Sequence, residues 1–254
     1  MNENVNKALF EYLLWMGDTA LVMGHRLSEW CGHGPILEED IALTNIALDL
    51  LGQARLYLTY AGEVEGKGRS EDDLAYLRDV MNYRNLLLAE LPNGDFAFTM
   101  VKQFLYTAFS YHLQNALLSS SDERIRSIAE KAIKEVTYHL RHSSDWIIRM
   151  GDGTEESNTK VQDALNAVWM YVDDLFLKLP DDKLLVDEKI IPDLTVIRKS
   201  WEETIKTVFN EATLKQPVDS YMMKGGRDGK HSEYLGYVLA ELQFLPRAYP
   251  GAKW

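Results

Sequence analysis

The sequence predicts an all-α protein built on a four-helix bundle, with additional helices toward its C-terminus. Apolar residues recur with helical spacing along nearly the whole chain, and no segment shows the alternation of a half-buried strand. Four segments of about 22–30 residues carry this pattern, a length that suits bundle helices. The seven prolines lie mostly at breaks between segments. Because 254 residues suffice for one large core, we predict a single domain over residues 1–254.

The first two predicted helices are separated by a strong stop signal. The first covers residues 4–30 and ends where two glycines and Pro35 interrupt the helical pattern. The second covers residues 37–61. Its apolar stripe is so broad that burial on most sides is expected, and it comprises Ile41, Leu43, Ile46, Ala47, Leu50, Leu51, Ala54 and Leu58.

Polar and turn residues divide the middle of the chain. Residues 62–70 are polar, and residues 71–91 suit a shorter, interrupted helix that ends at a Pro-Asn-Gly turn at 92–94. Ser120 and Glu123 form a predicted capping box, in which each side chain satisfies a free backbone N–H. The next long helix is therefore expected to begin at this point.

The C-terminal third is predicted to be less regular. A loop is expected at residues 180–192, where Pro192 is placed to open the following helix. Residues 216–229 are rich in glycine and polar residues and are expected to be irregular. The remaining helices are predicted at residues 95–118, 120–150, 154–178, 193–214 and 231–245.

The composition favours a soluble protein that binds neither nucleic acid nor membrane. The net charge is −12, whereas phosphate binding needs clustered Lys and Arg. No apolar run approaches the ~18–20 residues that span a bilayer. Residues 1–11 lack the basic and apolar regions of a signal peptide, and the single cysteine, Cys31, cannot form an internal disulfide. We therefore predict a cytoplasmic protein.

A four-helix bundle of this size can hold a carboxylate-bridged di-iron centre. Such a centre takes one Glu from each of two helices and a Glu-x-x-His pair from each of the other two, since residues three apart share a helical face. Among the six histidines, only one has an acid three residues before it. That pair, Asp228 and His231, lies in a glycine-rich stretch. The sequence therefore predicts no di-iron centre in this chain.

Two weaker histidine patterns leave a stand-alone metal-dependent oxidase open as an alternative function. Glu135 and His139 are four residues apart, which suits a metal pair or, more simply, a helix-surface or interhelical hydrogen bond. His139 and His142 are three residues apart, which suits an adventitious divalent metal ion.

A basic stretch near the C-terminus leaves a helical acyl-CoA-binding protein open as another alternative. Lys224, Arg227 and Lys230 could meet the phosphates of CoA. The simpler interpretation of these residues is a solvated, mobile loop.

Several stretches, spread in order over nearly the whole chain, are similar to one known family. They include LSEWCGHGP at 27–35, NIALDLLGQAR at 45–55 and GKHSEYLG at 229–236, with further matches at residues 85–88, 92–94, 131–135, 138–141 and 210–214. On these residues the chain resembles the C subunits of bacterial ring-1,2-phenylacetyl-CoA epoxidase complexes.

The resemblance implies a ferritin-like fold and a structural, non-catalytic role. In such complexes a catalytic subunit of similar fold holds the di-iron site that activates oxygen and epoxidises the aromatic ring of phenylacetyl-CoA, during aerobic phenylacetate catabolism. Electrons come from NADPH through a separate reductase subunit. The resemblance thus implies that this chain scaffolds and stabilises the catalytic subunit, shares a complex with the reductase, and forms a homodimer when isolated.

The resemblance also implies where metal ligands are missing. Leu50 and Gln53 align with the Glu and His of the second-helix Glu-x-x-His motif of the catalytic subunit. Val136 and His139 align with the Glu and His of its fourth-helix motif. The first-helix Glu falls at Ala20, and the third-helix Glu has no assigned counterpart. Apolar residues at two of these positions avoid the cost of an unpaired buried carboxylate. We therefore expect no catalytic and no metal-binding residue in this chain, while substrate-binding residues stay unassigned.

Overall fold

The structure, a computed structural model that describes residues 2–218 and 221–252, consists of helices and loops. No β-strand occurs within those residues, which confirms the all-α prediction. Residues 219 and 220, part of the predicted irregular stretch, lie outside the described residues. The α-helices are α1 (Glu3–Ser28), α2 (Leu37–Glu65), α3 (Glu71–Tyr76), α4 (Leu87–Glu90), α5 (Phe96–Leu117), α6 (Glu123–Gly151), α7 (Glu155–Val168), α8 (Asp182–Asp187), α9 (Leu194–Glu211), α10 (Glu233–Leu242) and α11 (Phe244–Ala248).

The helices belong to two compact units. The first contains Met1–Pro92, Leu179–Leu185 and Gly225–Trp254, and the second contains Asn93–Lys178 and Val186–Lys224. Helices α1 and α2 lie in the first unit, and α5 and α6 lie in the second, so each unit holds two of the four long helices predicted for a bundle. The prediction of one domain over the whole chain stays a prediction. In the part of the chain that the structure describes, no helix is long and apolar enough to cross a membrane.

Two glycines of α1 allow close packing against α2 in the first unit. A Cβ built on Gly17 would lie 2.7 Å from Leu58 Cδ2, and one on Gly24 would lie 3.2 Å from Leu51 Cγ. The position on α1 advances by seven residues while the position on α2 recedes by seven, so the two helices run antiparallel. Larger residues at these glycines would force the helices apart, because protein cores are packed as closely as organic crystals.

The predicted interrupted helix at 71–91 is three short elements, namely α3, a 3₁₀ turn at Val80–Asn82 and α4. The break lets the side chain of Arg78 turn inward. Its Nη1 donates to Asp18 Oδ2 at 3.0 Å and to the carbonyl oxygen of Asn82 at 2.9 Å. Because Asp18 is a buried residue of α1, this ion pair fixes the interrupted stretch to α1.

In the second unit, α5 packs against α6, α7 and α9. Trp201 of α9 donates from its indole nitrogen to the carbonyl oxygen of Leu105 on α5 at 3.0 Å. The ring of Phe176 meets those of Phe109 and Trp201 edge to face, with centroid distances of 5.5 and 5.4 Å. Edge-to-face packing is a favoured arrangement of aromatic pairs, so these rings define an aromatic core beside α5.

The predicted capping box at Ser120 and Glu123 is wrong. Helix α6 begins at Glu123, and its N-cap is Asp122, whose Oδ1 accepts from the backbone N–H of Ile125 at 2.9 Å. The hydroxyl of Ser120 donates instead to the carbonyl oxygen of Ile190 at 2.6 Å. Because a tertiary contact engages the serine, the aspartate two residues later caps the helix.

The loop predicted at 180–192 and the predicted start of the helix that follows it both differ from the structure. The loop contains α8. Pro192 precedes α9 rather than opening it, because Asp193 is the N-cap and its Oδ1 accepts from the backbone N–H of Thr195 at 2.7 Å. Asp193, and not Pro192, is therefore the residue that directly precedes and caps α9.

Two predicted helices are each divided. The helix predicted at 154–178 is α7 followed by a 3₁₀ helix at Trp169–Phe176. The helix predicted at 231–245 is α10 and α11, separated at Gln243. The amide nitrogen of Gln243 donates to the carbonyl oxygens of Ala75 and Arg78 at 3.1 and 2.9 Å. These buried contacts hold the chain at the point where α10 ends.

Candidate functional site

In the first unit, the three positions where the resemblance implies metal ligands carry no metal-binding side chain. Ala20 lies on α1, and Leu50 and Gln53 lie on α2, and all three are buried. Two are hydrocarbon and the third is a neutral amide. Iron is bound by carboxylates and imidazoles, so this half of the expected set offers no ligand of the required kind.

In the second unit only one of the two corresponding positions has a metal-binding side chain. Val136 and His139 both lie on α6 and are buried. The neighbouring residues of the weaker pattern, Glu135 and His142, are partly exposed. The ring of His142 stacks on that of Tyr138 with centroids 5.9 Å apart. A single imidazole therefore stands where the resemblance requires a carboxylate and an imidazole.

These five positions do not fit a di-iron centre. Such a centre needs four carboxylates and two histidines, and the set provides one histidine and no carboxylate. Within residues 2–218 and 221–252, no three His, Cys, Asp or Glu side chains are grouped so that they could hold a metal ion. The prediction that this chain contributes no metal ligands depends on the donor set and stays a prediction.

The GKHSEYLG motif binds a buried carboxylate in the first unit. Glu90, at the end of α4, accepts hydrogen bonds from Asn85 Nδ2 at 2.9 Å, from the backbone N–H of Ser232 at 2.7 Å and from the Ser232 hydroxyl at 2.6 Å. His231 Nδ1 lies 2.6 Å from its Oε1. The side chains of His231 and Glu90 are 2% and 0% exposed, so the motif fastens the start of α10 to α4 through a buried polar cluster.

Both ring nitrogens of His231 face oxygen atoms. Nε2 lies 3.0 Å from the carbonyl oxygen of Tyr83, which can only accept, so Nε2 carries a hydrogen. The 2.6 Å contact between Nδ1 and Glu90 needs a second hydrogen. Asn85 and Ser232 supply three further donors to the carboxyl group of Glu90. His231 therefore bridges the side chain of Glu90 and the backbone carbonyl of Tyr83 inside the first unit.

An arginine that is held by a residue of the LSEWCGHGP motif borders the same cluster. Arg26 of α1 donates from Nε and Nη2 to the backbone carbonyl of Glu90, at 3.1 and 2.8 Å. Its Nη1 also donates to Glu29 at 2.8 Å. The motif residue Glu29 thus orients an arginine that completes the polar contacts around α4.

Arg227 is a second buried attachment of the C-terminal residues. Its Nη1 and Nη2 donate to the two carboxylate oxygens of Asp182, each at 2.8 Å, and its guanidinium lies 4.0 Å from the ring centroid of Trp15. Its side chain is 2% exposed. The interpretation of this residue as part of a solvated loop is therefore wrong, because a bidentate carboxylate pair and an aromatic face hold it inside the first unit.

The two lysines considered for CoA binding differ from Arg227 in exposure. Lys224 donates to Asp173 at 2.7 Å. Lys230 is largely exposed and lies 3.4 Å from Asp228. Because Arg227 is enclosed by its own contacts, its guanidinium is not available to a phosphate group.

Comparison with known proteins agrees with the residue-level resemblance. The model of the family described as phenylacetic acid catabolic protein matches residues 1–254. The chain belongs to this family. Membership, together with the helical structure, confirms the all-α, ferritin-like fold class and the additional C-terminal helices.

A relative of this chain matches it almost from end to end. The chain is 46% identical over 246 residues to a protein from Escherichia coli (strain K12) that is named as the C subunit of 1,2-phenylacetyl-CoA epoxidase. The alignment covers 97% of this chain and 99% of the relative. The similarity therefore extends over both units and is not confined to one motif.

In this family member, the glycines of LSEWCGHGP form a loop around an aspartate. Asp40 Oδ2 accepts from the backbone N–H of Gly34 at 3.0 Å. The backbone N–H of Gly34 and that of Gly32 hold the pKa of the Asp40 carboxyl below its usual range. The ring of His33 contacts the carbonyl oxygen of Cys31 at 3.2 Å, and Cys31 itself is exposed. The motif therefore forms the α1–α2 connection.

We expect this loop to loosen in acid. Because the folded-state pKa of Asp40 is lowered, its contribution is complete above the ordinary aspartate range and is lost as the pH falls through the lowered value. The carboxyl ¹³C shift of Asp40, followed by NMR from pH 6 downward, should have a midpoint below that of an unstructured aspartate. The Gly34 amide shift should move with it. Asp40→Ala should remove the amide transition, and an ordinary or raised midpoint would contradict the assignment.

Three buried acids of this chain, Asp18, Glu90 and Asp182, were not predicted from the sequence. Glu90 had a usable signal, since it interrupts an otherwise apolar run at 86–91 and such an acid needs buried partners. Asp182 had none, because it stands in a polar Asp-Asp-Lys sequence typical of a surface loop. Asp18 lies in α1 beside small and apolar residues and gave only a weak signal.

Proposed function

We propose that this chain is the C subunit of a phenylacetyl-CoA epoxidase complex and that its role there is structural. The observation that carries the proposal is the donor set: apolar Leu50 and Val136 are buried where the resemblance implies carboxylates. The end-to-end similarity to a protein named as the C subunit of such an epoxidase supports the assignment to the complex. A bundle without these carboxylates stabilises itself by apolar packing and is available as a scaffold for the subunit that performs the chemistry.

The proposal includes the partners and cofactors of the complex. The di-iron centre that activates oxygen belongs to a catalytic partner subunit, and electrons reach it from NADPH through the reductase. The complex acts in the cytoplasm. Outside the complex, this chain forms a homodimer. Epoxidation of the phenylacetyl-CoA ring is then a property of the assembly, to which this chain contributes stability and not a reacting group.

The two alternative functions have less support. A stand-alone metal-dependent oxidase would need ligands besides Glu135, His139 and His142, and those residues lie on one helix. An acyl-CoA-binding protein would need free basic residues, whereas Arg227 is already bound to Asp182. Each alternative predicts an activity of the chain alone, which separates it from a structural role.

The test is metal content and activity of the purified, untagged chain from iron-supplemented cells. We expect iron and manganese far below stoichiometric amounts and no product from phenylacetyl-CoA when only the reductase and NADPH are added. Addition of the catalytic subunit should give the epoxide. Tightly bound stoichiometric metal, or product without the catalytic subunit, would contradict the structural role.

The double variant Leu50→Glu with Gln53→His serves as a matched control. It places one Glu-x-x-His pair on α2 while Ala20 and Val136 stay unchanged. We expect it to remain inactive without the catalytic subunit, because several independent ligands are missing. Turnover by this variant alone would show that the missing Glu and His at positions 50 and 53 account for the inactivity of the chain.

A further inference from the structure

A groove in the first unit lies between the 3₁₀ turn at Val80–Asn82 and the C-terminal helices α10 and α11. Its volume is about 650 Å³. We call it the α10 groove, and the residues that give it its mostly apolar lining are Val80, Met81, Gly236, Leu239, Ala240 and Phe244.

The α10 groove is open to solvent along its edges. Met81 is 68% exposed and Phe244 is 64% exposed, so two large apolar residues of the lining face water. Pockets for small molecules enclose most of the ligand surface, which this groove does not do. An open, apolar groove is the kind of surface on which a polypeptide segment packs, and an amphipathic helix is one common occupant of such grooves.

The residues of the groove suit a helix. Gly236 and Ala240 are four residues apart on one face of α10, and a Cβ built on Gly236 would meet nothing within 4 Å. Glycine inside a helix is less favourable than alanine, and it is used where another backbone approaches closely. Its own unit does not approach Gly236 in this way. Met81, at the edge, has the flexible and polarisable side chain that is often found on helix-binding surfaces.

The border of the α10 groove is acidic. Glu233 and Glu241 lie four residues to either side of Tyr237, which is 64% exposed, and both glutamates are exposed. Neither glutamate forms an ion pair within the part of the chain that the structure describes. On the other side of the groove, the Asp79 side chain is 79% exposed although it pairs with Arg247. Carboxylates therefore border the apolar surface on both sides.

These charges select among the possible occupants. A second copy of this chain, packed through the same groove, would bring its own glutamates against Glu233 and Glu241. An anionic lipid surface would be repelled in the same way, and the net charge of −12 adds to this effect. A helix that carries Lys or Arg beside its apolar face complements both the lining and the border.

We infer that the α10 groove binds an amphipathic helix of a partner protein, with the apolar side chains of that helix in the groove and its Lys or Arg side chains beside Glu233 and Glu241. The inference goes beyond the proposed function, because it assigns a binding surface and the chemistry of the segment that this surface takes. It does not depend on the epoxidase assignment or on the absence of metal ligands.

The test is fluorescence anisotropy of three dye-labelled, helix-forming peptides with the full-length, untagged chain. Each peptide has leucines at the i, i+3, i+4 and i+7 positions, and the flanking positions are lysine, serine or glutamate. We expect the lysine peptide to bind at least about tenfold more tightly than the serine peptide, and the glutamate peptide not to bind. The affinity of the lysine peptide should fall as the salt concentration rises.

Variants of the chain locate the site. Gly236→Leu should weaken binding of the lysine peptide at least about tenfold, because the new side chain occupies the groove. It adds a better helix former in open space, so the fold should be kept. Gly52→Leu is the matched control, since a Cβ at this glycine of α2 also meets nothing within 4 Å, and it should leave binding unchanged. Glu233→Gln with Glu241→Gln should weaken the lysine peptide and reduce its salt dependence.

Three results would overturn the inference. They are no binding of the lysine peptide, equal binding of all three peptides, and binding that Gly236→Leu weakens no more than Gly52→Leu does. Each of them leaves the metal and activity measurements of the proposed function unaffected.

Discussion

Replacing Glu90 with alanine should release α10 from the first unit. The substitution removes the carboxyl group that the Asn85 amide, both Ser232 donors and the Nδ1 atom of His231 contact inside the first unit. A buried donor left without its acceptor costs about 1–3 kcal/mol. We therefore expect the free energy of local opening of α10 to fall by at least about this amount. Native-state hydrogen exchange of the α10 amides measures that quantity directly.

Two controls show whether the effect of Glu90→Ala is specific to α10. Glu233→Ala removes an exposed carboxylate one residue beyond Ser232, and it should change the opening free energy by less than about 0.5 kcal/mol. The amides of α5, in the second unit, provide an internal reference within each sample. If Glu90→Ala left α10 protection unchanged, the cluster would not hold the C-terminal residues. If α5 lost protection equally, the effect would be global unfolding.

The long helices could be predicted because their signals are local. The stop at Gly32, Gly34 and Pro35 separates α1 from α2 within a few residues of the predicted boundaries. Helical periodicity and backbone restrictions act within one or two turns, so they are legible without any tertiary contact. The same reasoning failed at Ser120, where a contact with Ile190 decides which residue caps α6.

The buried charges could not be predicted because their partners are distant in sequence. His231 meets Glu90 across 141 residues, and Arg227 meets Asp182 across 45. Nothing in the local sequence of Arg227 distinguishes it from a surface residue, since glycines flank it on one side and Asp228 follows it on the other. Only the fold brings the two members of each pair together.

The candidate metal positions are an intermediate case. The resemblance pointed to Leu50 and Val136, and both are fully buried. Their burial could be anticipated because each lies on the apolar face of a long helix. The predicted burial of α2 on most sides is wrong at Ile41, which is 52% exposed. Periodicity indicates that a residue is apolar but not whether its own chain covers it. The excess of apolar surface became visible only when exposure could be compared with the sequence pattern.

Replacing Arg227 alone should destabilise the first unit more than replacing it together with Asp182. Arg227→Met leaves the Asp182 carboxylate, which is only 12% exposed, without its bidentate partner. The expected loss is about 3–5 kcal/mol of unfolding free energy, because an uncompensated charge remains in the interior. Replacing both residues, as in Arg227→Met with Asp182→Leu, removes the charge as well as the pair. Such double replacements are often neutral or stabilising.

The measurement is a double-mutant cycle of unfolding free energies, obtained from urea titrations of each variant. Hydrogen exchange of amides in the first unit is a second measurement of the same effect. The double variant should recover most of the loss caused by Arg227→Met, which gives a coupling energy of up to about 3 kcal/mol between the two sites. Lys230→Met, at an exposed lysine three residues away, is the matched control and should stay within about 0.5 kcal/mol of the wild type. Additive effects of the two single substitutions would mean that Arg227 stabilises the unit mainly through its packing over Trp15. Coupling of the expected size would identify the ion pair as the contact that anchors residues 225–229.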